Sequence, residues 1–286
     1  MPDHFEISHF ETSHVAPLIG YHRAPLSQKF GAPRQPNLVA LVSVIEMLAP
    51  YDTPAAFIGL DGFSHIWISW QFHHNYRYKE NQSKQVDQAT IANEVTFRPQ
   101  IRPPRLGGNQ KIGIFASRSM YRPSGLGLSV VKLESVKVVE GRVLLMVSGA
   151  DMIDGTPIID IKPYVAYSDA HIGADSGFAS NAPAPLTVTM TAQAQEQFAQ
   201  IIASGQDTNK DSDKKVSLVA IIYEYQKQLI GTDIKHIIAL VAQDPRPAYR
   251  REELNKPFVM RYKGVDVSFQ LIETGQLQII DVNNID

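Results

Sequence analysis

Residues Ser129 to Ser148, SVVKLESVKVVEGRVLLMVS, decide how this chain folds. Two β-branched runs, Ser129 to Val139 and Arg142 to Ser148, flank Glu140-Gly141, and that pairing signals a hairpin. Upstream, Ile112 to Ala116 is another short apolar run, and Ser64 to His73, SHIWISWQFH, alternates apolar and polar side chains as a half-buried strand does. Val15 to Tyr21 and Leu38 to Ile45 read as further strands, separated by the turn-rich HRAPLSQKFGAPRQPN. Closely spaced strands with few helical periods predict a mainly β domain, a barrel or sandwich rather than a doubly wound sheet.

At 286 residues the chain holds one large or two ordinary domains. It is 44% hydrophobic and 20% charged, an ordinary globular composition. The absence of cysteine removes disulfides and thiolate zinc sites and points to a reducing compartment. The opening MPDHFEISHFETSH is polar and acidic, so it does not read as a secretory signal. No apolar run approaches the roughly 20 residues of a membrane helix. These features predict a soluble cytoplasmic protein. A net charge of −2 offers no global case for nucleic-acid binding, so any such binding must come from local basic patches.

Lys79 to Val95 is polar and Gln/Asn-rich, a surface insertion. Ser168 to Pro185 is rich in small residues, Asp, Gly and Pro, and reads as a linker. A second unit follows, with a helix over Thr191 to Ala203 capped by Thr191, then a polar loop over Ser204 to Lys215. Val216 to Tyr225 and Ile234 to Ala242 fit either helix or strand, and FVMRYKGVDVSFQLIE reads as strand. The expected division is a domain over 14–168, a linker over 169–186 and a smaller C-terminal α+β domain over 187–286.

Chemistry concentrates in Ile101 to Ser129, IRPPRLGGNQKIGIFASRSMYRPSGLGLS. Here Arg102, Arg105, Arg118 and Arg122, with Arg98 just before, sit among prolines and glycines. Proline stiffens the backbone and glycine lets it turn, while guanidinium forks bind carboxylate or phosphate bidentately. In APRQPN, prolines on both sides hold Arg34 and Gln35. DMIDGTPIID gathers Asp151, Asp154 and Asp160 around an Asp-Gly turn, as structural punctuation or as carboxylates for an ammonium, a ribose hydroxyl or a proton. His73 and His74 follow a strand and are expected on opposite faces, which argues against a two-histidine metal site. DPRPAYRR places Arg246, Arg250 and Arg251 as a cationic patch beside Tyr249, an aromatic for stacking on an unpaired base. There is no triphosphate-binding loop, nucleophile elbow or zinc-protease motif. Gly125-Leu126-Gly127 lacks the third glycine of a dinucleotide fingerprint.

In order along the chain, PRQP at Pro33, DGFSHIW at Asp61, IRPPRLGGN, FASRSMYRP, DMIDGTPIIDIKPY at Asp151 and DPRPAYR at Asp244 resemble the TsaA-like (TrmO) family. The likeness spans about Gly20 to Arg251 and departs from the family at RPSGLG, where its bacterial members usually read RPNPIG. It implies a non-Rossmann β-barrel S-adenosylmethionine-dependent methyltransferase domain, a homodimer, and a C-terminal domain that helps bind tRNA. The implied reaction methylates the exocyclic nitrogen of threonylcarbamoyl-adenosine beside the anticodon of threonine tRNA. Cofactor contacts implied by the resemblance are Pro33, Arg34, Gln35, His73, His74, Arg118, Leu126, Leu128, Asp151, Met152, Ile153 and Asp154, with no metal. The catalytic candidates are Asp151, Asp154 and Arg122, and the tRNA-binding candidates Arg105, Arg122, Arg246, Tyr249 and Arg250. Methylation of another RNA or a small metabolite, or a non-catalytic nucleotide- or RNA-binding module, are the alternatives.

Overall fold

A computed structural model describes residues 16–74, 99–207 and 217–285. The insertion over Lys79 to Val95, Arg98 and the opening residues lie outside the described residues.

Six antiparallel strands close a barrel: β1 (Gly20–Arg23), β2 (Val42–Met47), β3 (His65–Gln71), β6 (Leu126–Val139), β7 (Arg142–Ser148) and β8 (Pro157–Pro163). Their order around the barrel is β1-β2-β7-β6-β3-β8, and β8 returns to pair with β1. The predicted hairpin is β6–β7, with Val139 opposite Arg142 across the two-residue loop. Glu140 (φ 53°) and Gly141 (φ 78°) both take left-handed backbone, the conformation a two-residue loop needs to match strand twist. Alternation puts Ile66, Ile68, Val131, Val143, Leu145 and Val147 into the barrel core.

β7 is buried on both faces, which explains why RVLLMVS hardly alternates. Its outward Leu144 and Met146 join Val44 of β2 beneath helix α3 (Leu218–Gln226), which contributes Leu218 and Ile221. Ser217 caps α3, accepting from the Ala220 amide at 3.1 Å. Both segments that fitted either helix or strand are helical, the second being α4 (Asp233–Ala242). Ile112 to Ala116 departs from its expected strand. Only β5 (Ile112–Gly113) pairs, with β4 (Gln100–Ile101), before the backbone tightens into a 3-10 turn.

After the short helix α1 (Ala166–Asp169), residues 170–186 carry only a 3-10 turn at Gly177–Ala179. The C-terminal part is a four-stranded sheet, β10 (Phe258–Tyr262), β11 (Val265–Glu273), β12 (Gln276–Asn284) and β9 (Thr187–Met190), in that order. β9 runs parallel to β12, and helix α2 (Ala192–Asp207) packs on that sheet. Thr191 caps α2 as expected, accepting from Ala194 N at 3.2 Å.

The two parts share a core. Leu26, Val39 and Leu41, from the β1–β2 connector, pack with Phe258, Met260 and Tyr262. Gly31 (φ 92°) comes so close that a Cβ would lie 2.4 Å from Met260. The PRQP turn therefore hangs from a connector that the C-terminal sheet holds in place.

Candidate active site

The Asp151–Asp154 turn is the best-held element of the site. Its backbone is laced to β1 and the segment after it: Gly155 N donates to His22 O at 2.8 Å and Asp154 N to Leu26 O at 2.7 Å. The Ile153 carbonyl accepts from Thr156 Oγ1 at 2.7 Å and faces His22 Nδ1 at 3.2 Å. The other His22 ring nitrogen, Nε2, lies 2.7 Å from Ser43 Oγ. Burial pushes the His22 imidazole down to about 4, so at neutral pH it bridges turn and barrel uncharged. Nothing in the sequence singles out His22, because a lone histidine between Tyr21 and Arg23 carries no motif.

The two carboxylates of the turn do different work. Asp154 Oδ1 accepts from Ala24 N at 3.0 Å and from Gln226 Nε2 of α3 at 2.6 Å. Asp154 thus pins the turn to β1 and to the C-terminal part, and it supports the site through the backbone. Asp151 Oδ1 accepts from Ser129 Oγ at 2.6 Å, and Ser129 in turn accepts from Trp70 Nε1 at 3.0 Å. Burial raises the Asp151 carboxyl above its ordinary value, opposed by the Ser129 hydroxyl and, more weakly, by the field of Arg118.

Facing this turn is the loop over 33–37. Asn37 fixes it with a left-handed backbone (φ 64°), its amide donating to Gly149 O at 2.8 Å and its side chain to Val130 O at 3.0 Å. Gln35 accepts from Arg118 Nη1 at 2.8 Å, which brings the PRQP turn and the arginine segment together. Lys29, ahead of that turn, donates to the His74 carbonyl. His73 and His74 do not point to opposite faces as a strand would dictate. The chain has left β3 for a turn, and their rings meet edge-on at 4.3 Å. Burial lowers the His73 imidazole, with the His74 charge adding to the effect and a hydrogen bond to the Asp154 backbone opposing it.

The structure therefore brings together Pro33, Gln35, His73, Arg118 and the Asp151–Asp154 turn. Arg34 turns away, its Nη2 3.4 Å from the Arg246 carbonyl. Leu126 and Leu128 are exposed, on the face of β6 opposite the buried Ser129. Arg122 donates to Ser117 O at 3.0 Å and lies over the Phe115 ring at 5.5 Å. Arg105 reaches the Asn181 carbonyl in the stretch after the barrel, away from the turn.

The C-terminal motif needs one correction. Arg246 is not a surface cation. It is 1% exposed, and its guanidinium clasps Asp244 in a fork, with Nε at 2.7 Å and Nη2 at 3.2 Å. Nη2 also donates to Arg251 O at 3.0 Å. Arg251 leans on the same Asp244, 3.4 Å away. Arg250 pairs with Glu253 at 2.8 Å and lies over the Phe258 ring at 4.5 Å. Only Tyr249, 87% exposed, stands clear of the fold.

Arg118 and Asp151 form no direct ion pair, although each lies within the other's field. A fixed cation opposite a partly buried carboxylate suits a zwitterion such as the amino-acid end of S-adenosylmethionine, whose carboxylate and ammonium need opposite partners.

Comparison with known proteins identifies the family. The family model of the tRNA-methyltransferase O N-terminal domain matches residues 21–170, and that of the TrmO C-terminal domain matches residues 217–285. A putative S-adenosylmethionine-dependent methyltransferase, RcsF of Pseudomonas aeruginosa, is 35% identical over 94% of this chain and 98% of its own. The tRNA (adenine(37)-N6)-methyltransferase of Escherichia coli is 33% identical over 90% of this chain and 93% of its own. The crystal structure of a Pseudomonas aeruginosa TrmO superposes with a TM-score of 0.67 at 29% identity, covering 96% of this chain and 99% of that one. With both parts of the family architecture present in order and its fold reproduced, the chain belongs to the tRNA-methyltransferase O family.

Proposed function

We propose that this protein is a tRNA methyltransferase that carries a methyl group from S-adenosylmethionine to the exocyclic nitrogen of threonylcarbamoyl-adenosine, next to the anticodon of threonine tRNA. The observation that carries the reading is Arg118, held by Gln35, with its field on Asp151 in the turn that follows β7 of a closed, non-Rossmann barrel, in a chain whose relatives are named as adenine-37 tRNA methyltransferases. Bound there, S-adenosylmethionine supplies an electrophilic methyl on a sulfonium.

The chain's own task is chiefly alignment, because an in-line displacement is limited by how well the reacting atoms are held. Arg118, set by Gln35, would hold the cofactor carboxylate, and the backbone carbonyls of the Asp151–Asp154 turn its ammonium. The acceptor nitrogen belongs to a urea, so its proton is more acidic than that of a plain adenine amine. That proton leaves as the methyl arrives, and Asp151 is the candidate acceptor, its burial having raised its basicity.

Arg122 is the candidate that meets the threonyl carboxylate. Phe115 and Ser117 hold its guanidinium, and Pro123 stiffens the backbone immediately after it. Plain adenosine would leave this arginine without its partner, and such a loss discriminates strongly. Tyr249 is the candidate for stacking on an unpaired base of the anticodon loop. A cytoplasmic homodimer completes the reading.

The test is transfer of labelled methyl to threonylcarbamoylated threonine tRNA and to the unmodified transcript, with nucleoside mass spectrometry of tRNA from cells lacking the protein. Methylation of the modified tRNA alone, lost on deletion, supports the reading. Equal use of both tRNAs overturns it. Arg122→Met is expected to abolish turnover on modified tRNA while cofactor affinity stays at the wild-type value. Wild-type turnover in that variant places the carboxylate contact elsewhere.

A further inference from the structure

Asp151 does not stand alone. Ser129 Oγ donates to Asp151 Oδ1 at 2.6 Å, and Trp70 Nε1 donates to Ser129 Oγ at 3.0 Å. The direction of this chain is fixed by chemistry. An indole N–H can only donate, and a hydroxyl has one proton. With Trp70 filling one of the two acceptor positions on Ser129, the single serine proton is left to donate to the Asp151 carboxylate.

The far end of the chain cannot drift. Trp70 is 6% exposed and packs edge-on against Phe72 at 4.3 Å. Its ring also lies over Gly127, where a Cβ would fall 2.2 Å away, so the close packing requires glycine there. Ser129 is 1% exposed, so water does not compete for its hydroxyl. The field of Arg118 reaches Asp151 and favours its carboxylate form.

We propose that Trp70 and Ser129 form a hydrogen-bond relay, anchored in the barrel core, that holds Asp151 oriented and ionised at the site. The proposal rests on the functional reading above for what Asp151 does. Whether Asp151 holds an ammonium group or takes up the substrate proton, it must present a carboxylate rather than a carboxylic acid. Trp70 and Ser129 are buried in the barrel and act through Asp151. They are positioning residues, and none of the motifs that carry the family likeness points to Trp70.

The test is the pH dependence of kcat/KM for modified tRNA in wild type, Ser129→Ala and Trp70→Phe. Losing the hydroxyl donor disfavours the carboxylate, so in Ser129→Ala the acid limb moves to higher pH by about one unit, with activity down by up to roughly tenfold along that limb and recovering toward wild type on the plateau above it. Trp70→Phe keeps an aromatic ring but removes the donor that polarises and orients the Ser129 hydroxyl, and its acid limb moves the same way by less. A merely structural role would lower activity equally at all pH values.

Carbon-13 NMR of the Asp151 side chain, assigned with Asp151→Asn, reads the same ionisation without turnover. Its midpoint is expected to rise in the order wild type, Trp70→Phe, Ser129→Ala. Identical midpoints in the three proteins overturn the relay, whatever the enzyme acts on. If Ser129→Ala does not fold, Trp70→Phe decides by the same two measurements. A wild type that leaves modified tRNA unmethylated overturns the functional reading and leaves the NMR midpoints to judge the relay.

Discussion

Residues 102–122 and 244–251 look alike as sequence, each an arginine-rich run punctuated by proline, yet the fold uses them in opposite ways. In the first, Arg118 is exposed and steadied by a neutral partner, Gln35, while Arg122 rests on a carbonyl and a ring. In the second, Asp244 lies two residues before Arg246 and draws it into the interior as a forked ion pair. Two further carbonyls face the remaining donors, Arg251 O at 3.0 Å and Glu253 O at 3.5 Å. The lesson concerns local counter-charge. An arginine with a carboxylate in reach becomes a structural pin, whereas one among prolines, glycines and neutral acceptors keeps its charge for a ligand.

The largest expected effect breaks the pin. Arg246→Ala removes the forked partner of buried Asp244, leaving only the longer contact to Arg251, and should lower stability by about 3 kcal/mol, the low end for removing half of a buried pair. Urea unfolding monitored by circular dichroism checks this. A midpoint within error of wild type would mean the fork carries no structural weight.

Arg118→Ala comes next and should behave in the opposite manner. Removing an exposed cation leaves unfolding unchanged but weakens cofactor binding by about 1.5–3 kcal/mol, roughly ten- to a hundredfold. Calorimetric titration with S-adenosylmethionine reads it, and a wild-type affinity removes Arg118 from the pocket. The smallest effect sharpens the comparison within the C-terminal motif. Tyr249→Ala should raise the KM for tRNA several-fold, equivalent to about 1 kcal/mol, the low end of base–aromatic stacking, without touching cofactor affinity or stability. An unchanged tRNA dependence would show that this exposed ring serves something other than RNA.

The site itself is partly readable in the sequence. The turn at Asp154-Gly155, the proline-fixed PRQP loop and the arginine segment all announce themselves, because glycine and proline fix backbone shape locally. His22, Asn37, Ser129 and Gln226 do not. Each acts on a partner far away along the chain, as Gln226 does on Asp154 and His22 on Ile153, and no local pattern marks such a pairing. β9 and β12 are hidden for a related reason. A four-residue edge strand and a polar-flanked QLQIIDVNN become strands only by pairing with each other and with β11.

What the sequence determined by itself was a mainly β domain, barrel or sandwich, the β6–β7 hairpin and the concentration of cations between two strands. Period-two alternation and turn chemistry act over a few residues and survive in any context. Tertiary structure alone decided that α3 and α4 are helices, that His73 and His74 share a turn, and that Arg246 points inward while Arg118 points out. Burial and counter-charge belong to pairs of distant residues, and a charge goes inside only where another element supplies the carboxylate and carbonyls that replace water.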